Sequence, residues 1–133
     1  MASRKLRNNS RCLEAMTNSK STILIVEDEE ESRDTLRELL EFEGYRVQTA
    51  VNGQEALARL NRPDERICIM LLDLFMPVMD GWQVIEQLRA DGRLDQTQIV
   101  IITSAPYRAP AGLPVFEKPL DLDRVMNEVQ RLC

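Results

Sequence analysis

A parallel β-sheet covered by helices on both faces is the fold class this sequence predicts, and three observations carry that expectation. Residues 22–26 (TILIV), 67–73 (ICIMLLD) and 98–103 (QIVIIT) are near-continuous apolar runs of strand length, the mark of strands buried on both faces. Between them lie segments with apolar residues at helical spacing, so strand and helix alternate as a parallel sheet requires. The runs also end in polar groups: Glu27-Asp28 follows the first and Asp73 closes the longest. Carboxylates are thereby placed at the carboxyl edge of the sheet, where open α/β folds bind ligands.

Residues 1–20 are polar and aperiodic and contain Asn8-Asn9-Ser10, so they read as a flexible basic arm, leaving 21–133 as one domain. After the first strand, 32–43 carries Leu36, Leu39 and Leu40 on one helical face and stops at Gly44, a favourable residue just past a helix end. Residues 45–50 alternate like a strand. Asn52-Gly53 then opens a short helix with Ala56, Leu57 and Leu60 inward. Pro63-Asp64 marks the loop before the Asp73 strand, and Asp80-Gly81 reads as a cap and turn rather than a ligand pair. It opens a helix over 81–89 with Val84, Ile85 and Leu88 inward.

Beyond the fourth strand the rhythm breaks. Pro106, Pro110, Gly112 and Pro114 stand where the next helix belongs. A proline in a helix interior costs about 3 kcal/mol, which predicts a loop or at most one turn there. Residues 115–117 form a short fifth strand, and Asp121 caps a final helix with Leu122, Val125, Met126, Val129 and Leu132 inward.

The 133 residues suit a single domain, and 44% hydrophobic residues suffice for a core. The formal net charge of -5 hides an asymmetry: residues 1–20 carry +4 and the rest -9. An acidic domain without basic stripes or interleaved aromatics is a poor candidate for direct nucleic-acid or membrane binding. No run reaches bilayer-spanning length or has signal-peptide form, so the expected location is cytoplasmic. Cys12, Cys68 and Cys133 show no paired metal spacing; Cys68, inside an apolar run, reads as a small buried hydrophobe with no zinc or disulfide role.

If the first and third strands are neighbours, about 4.8 Å apart, Glu27, Asp28 and Asp73 converge on one pocket. Unpaired, they repel one another and raise their own pKa values, so the arrangement asks for a cation. Mg²⁺ fits, being a hard ion that takes oxygen ligands and is commonly shared with a phosphate. Asp73 is then a nucleophile candidate for phosphorus. Thr103, ending the fourth strand, supplies a hydroxyl, and Lys118, after the fifth, a mobile positive charge for phosphoryl oxygens. Lys118-Pro119 is a candidate cis peptide. Glu29, Glu30 and Glu31 read as a solvated helix start, favourable to the helix dipole. Phe75 and Met76 are either core residues or half-exposed residues beside the site, and Trp82 opens its helix near the surface.

Glu27-Asp28, Asp73 with Met76-Pro77 and Asp80-Gly81, Thr103, and Lys118-Pro119, in this order at strand ends, resemble the receiver domain of bacterial two-component response regulators. The resemblance spans roughly residues 21–133. It implies a flavodoxin-like (βα)₅ doubly wound sheet of strand order 2-1-3-4-5, with the fourth helix short or replaced by the proline-rich loop. It also implies Mg²⁺-dependent transfer of a phosphoryl group from a sensor histidine kinase or phosphotransfer protein to Asp73, with Thr103 and Lys118 assisting. Asp28, Asp73 and the Phe75 backbone carbonyl would hold the ion directly and Glu27 through water. Phe75 and Ala105 would set the phosphoryl lifetime. Two departures stand out: Lys118 lies only fifteen positions after Thr103, and the aromatic usual three residues before the lysine is Val115.

The function expected on this basis is that of a stand-alone response regulator receiver, not an enzyme in the ordinary sense, that signals by phosphorylation-dependent binding of a downstream effector protein. It is expected to remain a monomer. The alternative is a pseudo-receiver acting as a constitutive interaction scaffold. A small nucleotide- or flavin-binding enzyme on the same fold ranks last, because no Gly-rich phosphate loop follows the first strand.

Overall fold

Within each central strand, alternate side chains divide between two cores. Leu24 and Val26 of β1 (Ser21–Val26), Met70 and Leu72 of β3 (Arg66–Asp73), and Ile99 and Ile101 of β4 (Ile99–Thr103) pack in one; Ile23, Ile25, Ile69, Leu71, Val100 and Ile102 pack in the other. Successive side chains of a strand point to opposite faces, so a run apolar at every position is a strand with no solvent face. With β2 (Arg46–Ala50) and β5 (Val115–Glu117) the five strands form one parallel sheet in the order β2-β1-β3-β4-β5. The computed structural model describes residues 21–133; the basic arm expected over residues 1–20 lies outside the described residues.

Among the described residues, four α-helices complete a flavodoxin-like fold. Those on the first core are α2 (Gly53–Leu60) and α3 (Gly81–Ala90), through Ala56, Val84, Ile85 and Leu88. On the second core, α1 (Glu30–Phe42) and α4 (Leu122–Leu132) contribute Leu36, Leu40, Val125, Met126 and Val129. Burying such a side chain fully contributes about 1.5–3 kcal/mol. The central strands therefore hold enough stability for their ends to carry unfavourable charge. Helix starts use the expected side chains: Asn52 accepts from the Glu55 amide at 2.9 Å, Asp80 and Gln83 form a reciprocal capping box, and Asp121 accepts from the Arg124 amide.

Between β4 and β5 no α-helix forms. A 3₁₀ turn, Pro106–Arg108, is the one turn the prolines permit, and a second 3₁₀ turn, Leu94–Gln96, precedes β4. The Lys118–Pro119 peptide bond is cis.

One expectation is overturned. Cys68 is only half-buried and is disulfide-bonded to Cys133, with a Cα–Cα distance of 6.0 Å and a sequence separation of 65. Local spacing says nothing about cysteines that the fold brings together. Here the end of α4 returns to the start of β3, where Gln98 Nε2 donates to both the Cys68 carbonyl, at 2.9 Å, and the Leu132 carbonyl, at 3.2 Å.

Candidate functional site

Strand register assembles the site. Val26 pairs with Leu72, so Glu27 and Asp73 emerge side by side at the carboxyl edge. Asp73 pairs with Ile102, and Thr103 with Glu117, which brings Thr103 and then Lys118 to the same edge. The Asp73 end of β3 is pinned by α3: a Cβ on Gly81 would lie 2.5 Å from the Asp73 carbonyl oxygen, and the Gly81 amide donates to the Leu74 carbonyl at 2.9 Å. Only glycine allows a helix to start that close to the strand. Asp80-Gly81 is thus the structural cap the sequence suggested.

Glu27, Asp28 and Asp73 each place a carboxylate oxygen within 4.8 Å of the others. Glu27 and Asp73 are buried while Asp28 is exposed. Lys118 Nζ reaches into the cluster, 2.5 Å from Glu27 Oε1 and 3.3 Å from Asp73 Oδ2. Its tightest partner is Glu27, with Asp73 second. Sequence position does not reveal where a long side chain points. Arg33 adds a second cation the sequence did not disclose, Nη1 donating to the Glu27 carbonyl at 3.2 Å and, more weakly, to that of Asp28.

The charges are unbalanced. Burial pushes the Glu27 carboxyl above its ordinary pKa, Asp73 adds to the rise, and the hydrogen bond from Lys118 opposes it without winning. Partial burial and then the adjoining Glu27 carboxyl push Asp28 up as well; as Asp28 is exposed overall, the neighbouring acid is the firmer cause. Burial works against the Lys118 ammonium, but Glu27 and Asp73 outweigh it and raise its pKa. Both partners of the Glu27–Lys118 pair are therefore raised, because for Glu27 desolvation exceeds the attraction of a single ammonium.

With Arg33 turned to backbone carbonyls, among the described residues only the Lys118 ammonium faces the three carboxylates directly, which leaves an excess of negative charge that a divalent cation would match. The donor set fits one: Glu27, Asp28 and Asp73 offer carboxylate oxygens within 4.8 Å of one another, and Mg²⁺ takes oxygen ligands while keeping several of its waters. Carboxylates with raised pKa values are also what a hard cation would relieve.

Thr103 is fully buried, and its Oγ1 accepts from the Ala105 amide at 3.0 Å, leaving the hydroxyl proton for another partner. The Phe75 amide lies 3.4 Å from Asp73 Oδ1, and the residue is 39% exposed, which makes it the half-exposed neighbour rather than a core residue. Met76 packs partly buried on the first core, as does Trp82. Glu29, Glu30 and Glu31 are exposed, as a solvated helix start should be. Among the described residues no helix is long and apolar enough to cross a membrane.

Comparison with known proteins agrees with this geometry. A family model described as the response regulator receiver domain matches residues 23–111. Among curated proteins, the response regulator MprA of Mycobacterium sp. (strain KMS) is 42% identical over 119 residues, covering 83% of this chain and 49% of that protein. MprA of Mycobacterium avium (strain 104) is 40% identical over 119 residues, with 83% and 50% coverage. The chain thus spans about half the length of the curated relatives it matches. Among solved structures, the response regulator TrrA of Thermotoga maritima in complex with Mg²⁺-BeF superposes with a TM-score of 0.72 at 29% identity, covering 86% of this chain and 99% of that one. A Francisella response regulator 1452 receiver domain shares the fold at 21% identity, with a TM-score of 0.72 and coverage of 84% and 94%. On the strength of the family match and these relatives, the chain belongs to the receiver domains of two-component response regulators.

Proposed function

We propose that this receiver accepts a phosphoryl group on Asp73 from a sensor histidine kinase or phosphotransfer protein, and that the phosphorylated form binds a downstream effector protein. The convergence of Asp73 with Glu27, Asp28 and Lys118 at one strand edge carries this reading. Asp28, Asp73 and the Phe75 backbone carbonyl would hold Mg²⁺, with Glu27 acting through water. The ion would neutralise the carboxylates and the incoming phosphoryl oxygens. One Asp73 oxygen forms the new bond to phosphorus as the bond to the donor's imidazole nitrogen breaks. Lys118 passes from Glu27 and Asp73 toward the phosphoryl oxygens, and the Thr103 hydroxyl donates to another. A groove of about 590 Å³ between α1 and the connection preceding α4 opens onto Glu27 and Lys118, and offers the donor a path.

The output is read from the loop between β4 and β5. Thr103 holds Ala105 by a hydrogen bond, so turning its hydroxyl to a phosphoryl group shifts the loop that follows. With a 3₁₀ turn in place of a helix and Val115 in place of an aromatic, the face formed by that helix, β5 and α4 loses a wall. The protein then stays monomeric in both states, in the cytoplasm, and its partner reads residues 104–113 directly. Incubation with acetyl phosphate and Mg²⁺ should add one phosphoryl group by intact-protein mass spectrometry, and Asp73→Asn should abolish it. An adduct that persists in that variant refutes the assignment, and the absence of any adduct on the unaltered chain favours a constitutive scaffold.

A further inference from the structure

Phe75, Trp82 and Arg108 meet in a three-way contact beside Asp73. The Phe75 and Trp82 rings stand edge to face, with centroids 5.1 Å apart and planes at 83°. The Arg108 guanidinium carbon lies 5.2 Å from the Phe75 centroid and 5.0 Å from that of Trp82. Trp82 Nε1 donates to the Arg108 carbonyl at 3.1 Å, which ties the 3₁₀ turn to the first turn of α3. Among the described residues the guanidinium has no hydrogen-bond or ion-pair partner, so the two rings alone hold it. Such stacking is the characteristic use of a planar, weakly hydrated cation.

Two members of the stack connect to different parts of the site. Phe75 is joined to Asp73 through its amide. Arg108 is joined to Thr103 by two consecutive hydrogen bonds, its amide donating to the Ala105 carbonyl at 3.0 Å and the Ala105 amide to Thr103 Oγ1 at 3.0 Å. Phe75 is partly exposed, and its ring contacts Trp82 and Arg108.

We propose that Arg108 is a positioning residue for the chemistry at Asp73: stacked on Phe75 and Trp82, it holds the Phe75 ring across the approach to the phosphorylated carboxylate and slows attack by water. Hydrolysis adds a water oxygen to phosphorus, breaks the bond to Asp73 and releases inorganic phosphate. Its rate follows the access of that water. Arg108 touches neither reactant and acts through Phe75. The inference rests on Asp73 being the phosphoacceptor.

The test follows loss of the phosphoryl group from the full chain after acetyl phosphate and Mg²⁺ treatment, for the unaltered protein, Arg108→Ala, Arg108→Lys, Phe75→Ala and the Arg108→Ala/Phe75→Ala double variant. Arg108→Ala should shorten the lifetime about fivefold, the factor a cation–π contact commands, with labelling stoichiometry unchanged. Arg108→Lys should fall between, and the double variant should decay no faster than Phe75→Ala alone. Trp82 is the only tryptophan of the chain, so its emission should shift when Arg108 is removed. A lifetime unchanged in both Arg108 variants, or effects of Arg108→Ala and Phe75→Ala that multiply, overturns the proposal. Failure of the unaltered chain to take up any phosphoryl group would instead defeat the phosphoacceptor reading, and this inference with it.

Discussion

The two ends of β3 are held by opposite means. At its start Cys68 is covalently tied to Cys133, and Gln98 bridges the two segments. At its end Asp73 stands among two other carboxylates, restrained by one lysine and by the close approach of α3. One end is closed by a covalent bond; the other keeps a charge excess that a further cation would relieve. A strand rigid through its middle lets these ends differ, because Ile69, Met70, Leu71 and Leu72 are fully buried and transmit position without yielding. Covalent closure and unbalanced charge are thus divided along a single element.

The largest expected effect breaks the closed end. Because the bond spans 65 residues of sequence, its removal by Cys133→Ser or by reduction should lower the unfolding free energy by about 4 kcal/mol, through the freedom regained by the unfolded chain. Urea denaturation with and without dithiothreitol measures this. Phosphoryl uptake at Asp73 should survive in the folded fraction, since the bond lies at the opposite edge of the sheet. Equal urea midpoints in the two states would mean that Gln98 and the packing of α4 already close that end without help.

The open end is tested by Lys118→Met. Removing the ammonium leaves the buried Glu27 carboxylate facing Asp73 uncompensated, a loss of about 3 kcal/mol in metal-free buffer. Unlike the disulfide loss, this one should shrink on adding millimolar Mg²⁺, which gains more from the variant's larger charge excess. A destabilisation indifferent to Mg²⁺ would show that Lys118 acts by packing its stem, not by its charge.

Legibility in the sequence followed the same division. Asp73, Glu27 and Asp28 were readable because a carboxylate closing an apolar run has one place to go, the strand edge, and strand adjacency then brings the carboxylates together. The missing helix was readable because proline's cost is local. The disulfide was not, since nothing between Cys68 and Cys133 records that α4 returns to the start of β3. Nor was the choice of Glu27 as the tightest partner of Lys118, or the seating of Arg108 on Phe75 and Trp82. Long side chains take their directions from packing that only the assembled fold supplies.

A smaller effect should appear in the pH dependence of metal-free protein. The folded pKa values of Glu27 and Asp28 are raised above their ordinary values of 4.5 and 3.8, so the folded state keeps protons that the unfolded state has released. Stability from these groups is present below the ordinary values and lost as pH rises through the raised ones. It is a smaller loss than that in Lys118→Met, because carboxyls can relieve themselves by protonating. Glu27→Gln should flatten this decline relative to the unaltered chain, and saturating Mg²⁺ should flatten it too. A decline of equal steepness in Glu27→Gln would place its source outside the pocket.

The smallest effect concerns the loop that carries the open end into α3. Val78, 74% exposed, sits at φ 69°, the left-handed region that a β-branched residue adopts only under strain. The Met79 amide and carbonyl on the next residue are both engaged, donating to Pro77 at 2.7 Å and accepting from Gly53 at 2.8 Å, so the turn cannot relax without giving up contact with α2. Val78→Gly keeps the turn with a residue that has no Cβ to strain it, and no packing is lost because the Val78 side chain is exposed. Stability should rise by about 1 kcal/mol. Phosphoryl uptake by Asp73 should be unaltered, since the backbone path from Asp73 to Gly81 is retained. A gain in stability accompanied by slower labelling would show instead that the strain at Val78 serves the open end, and that the reactive edge of β3 depends on backbone held away from its minimum as well as on unbalanced charge.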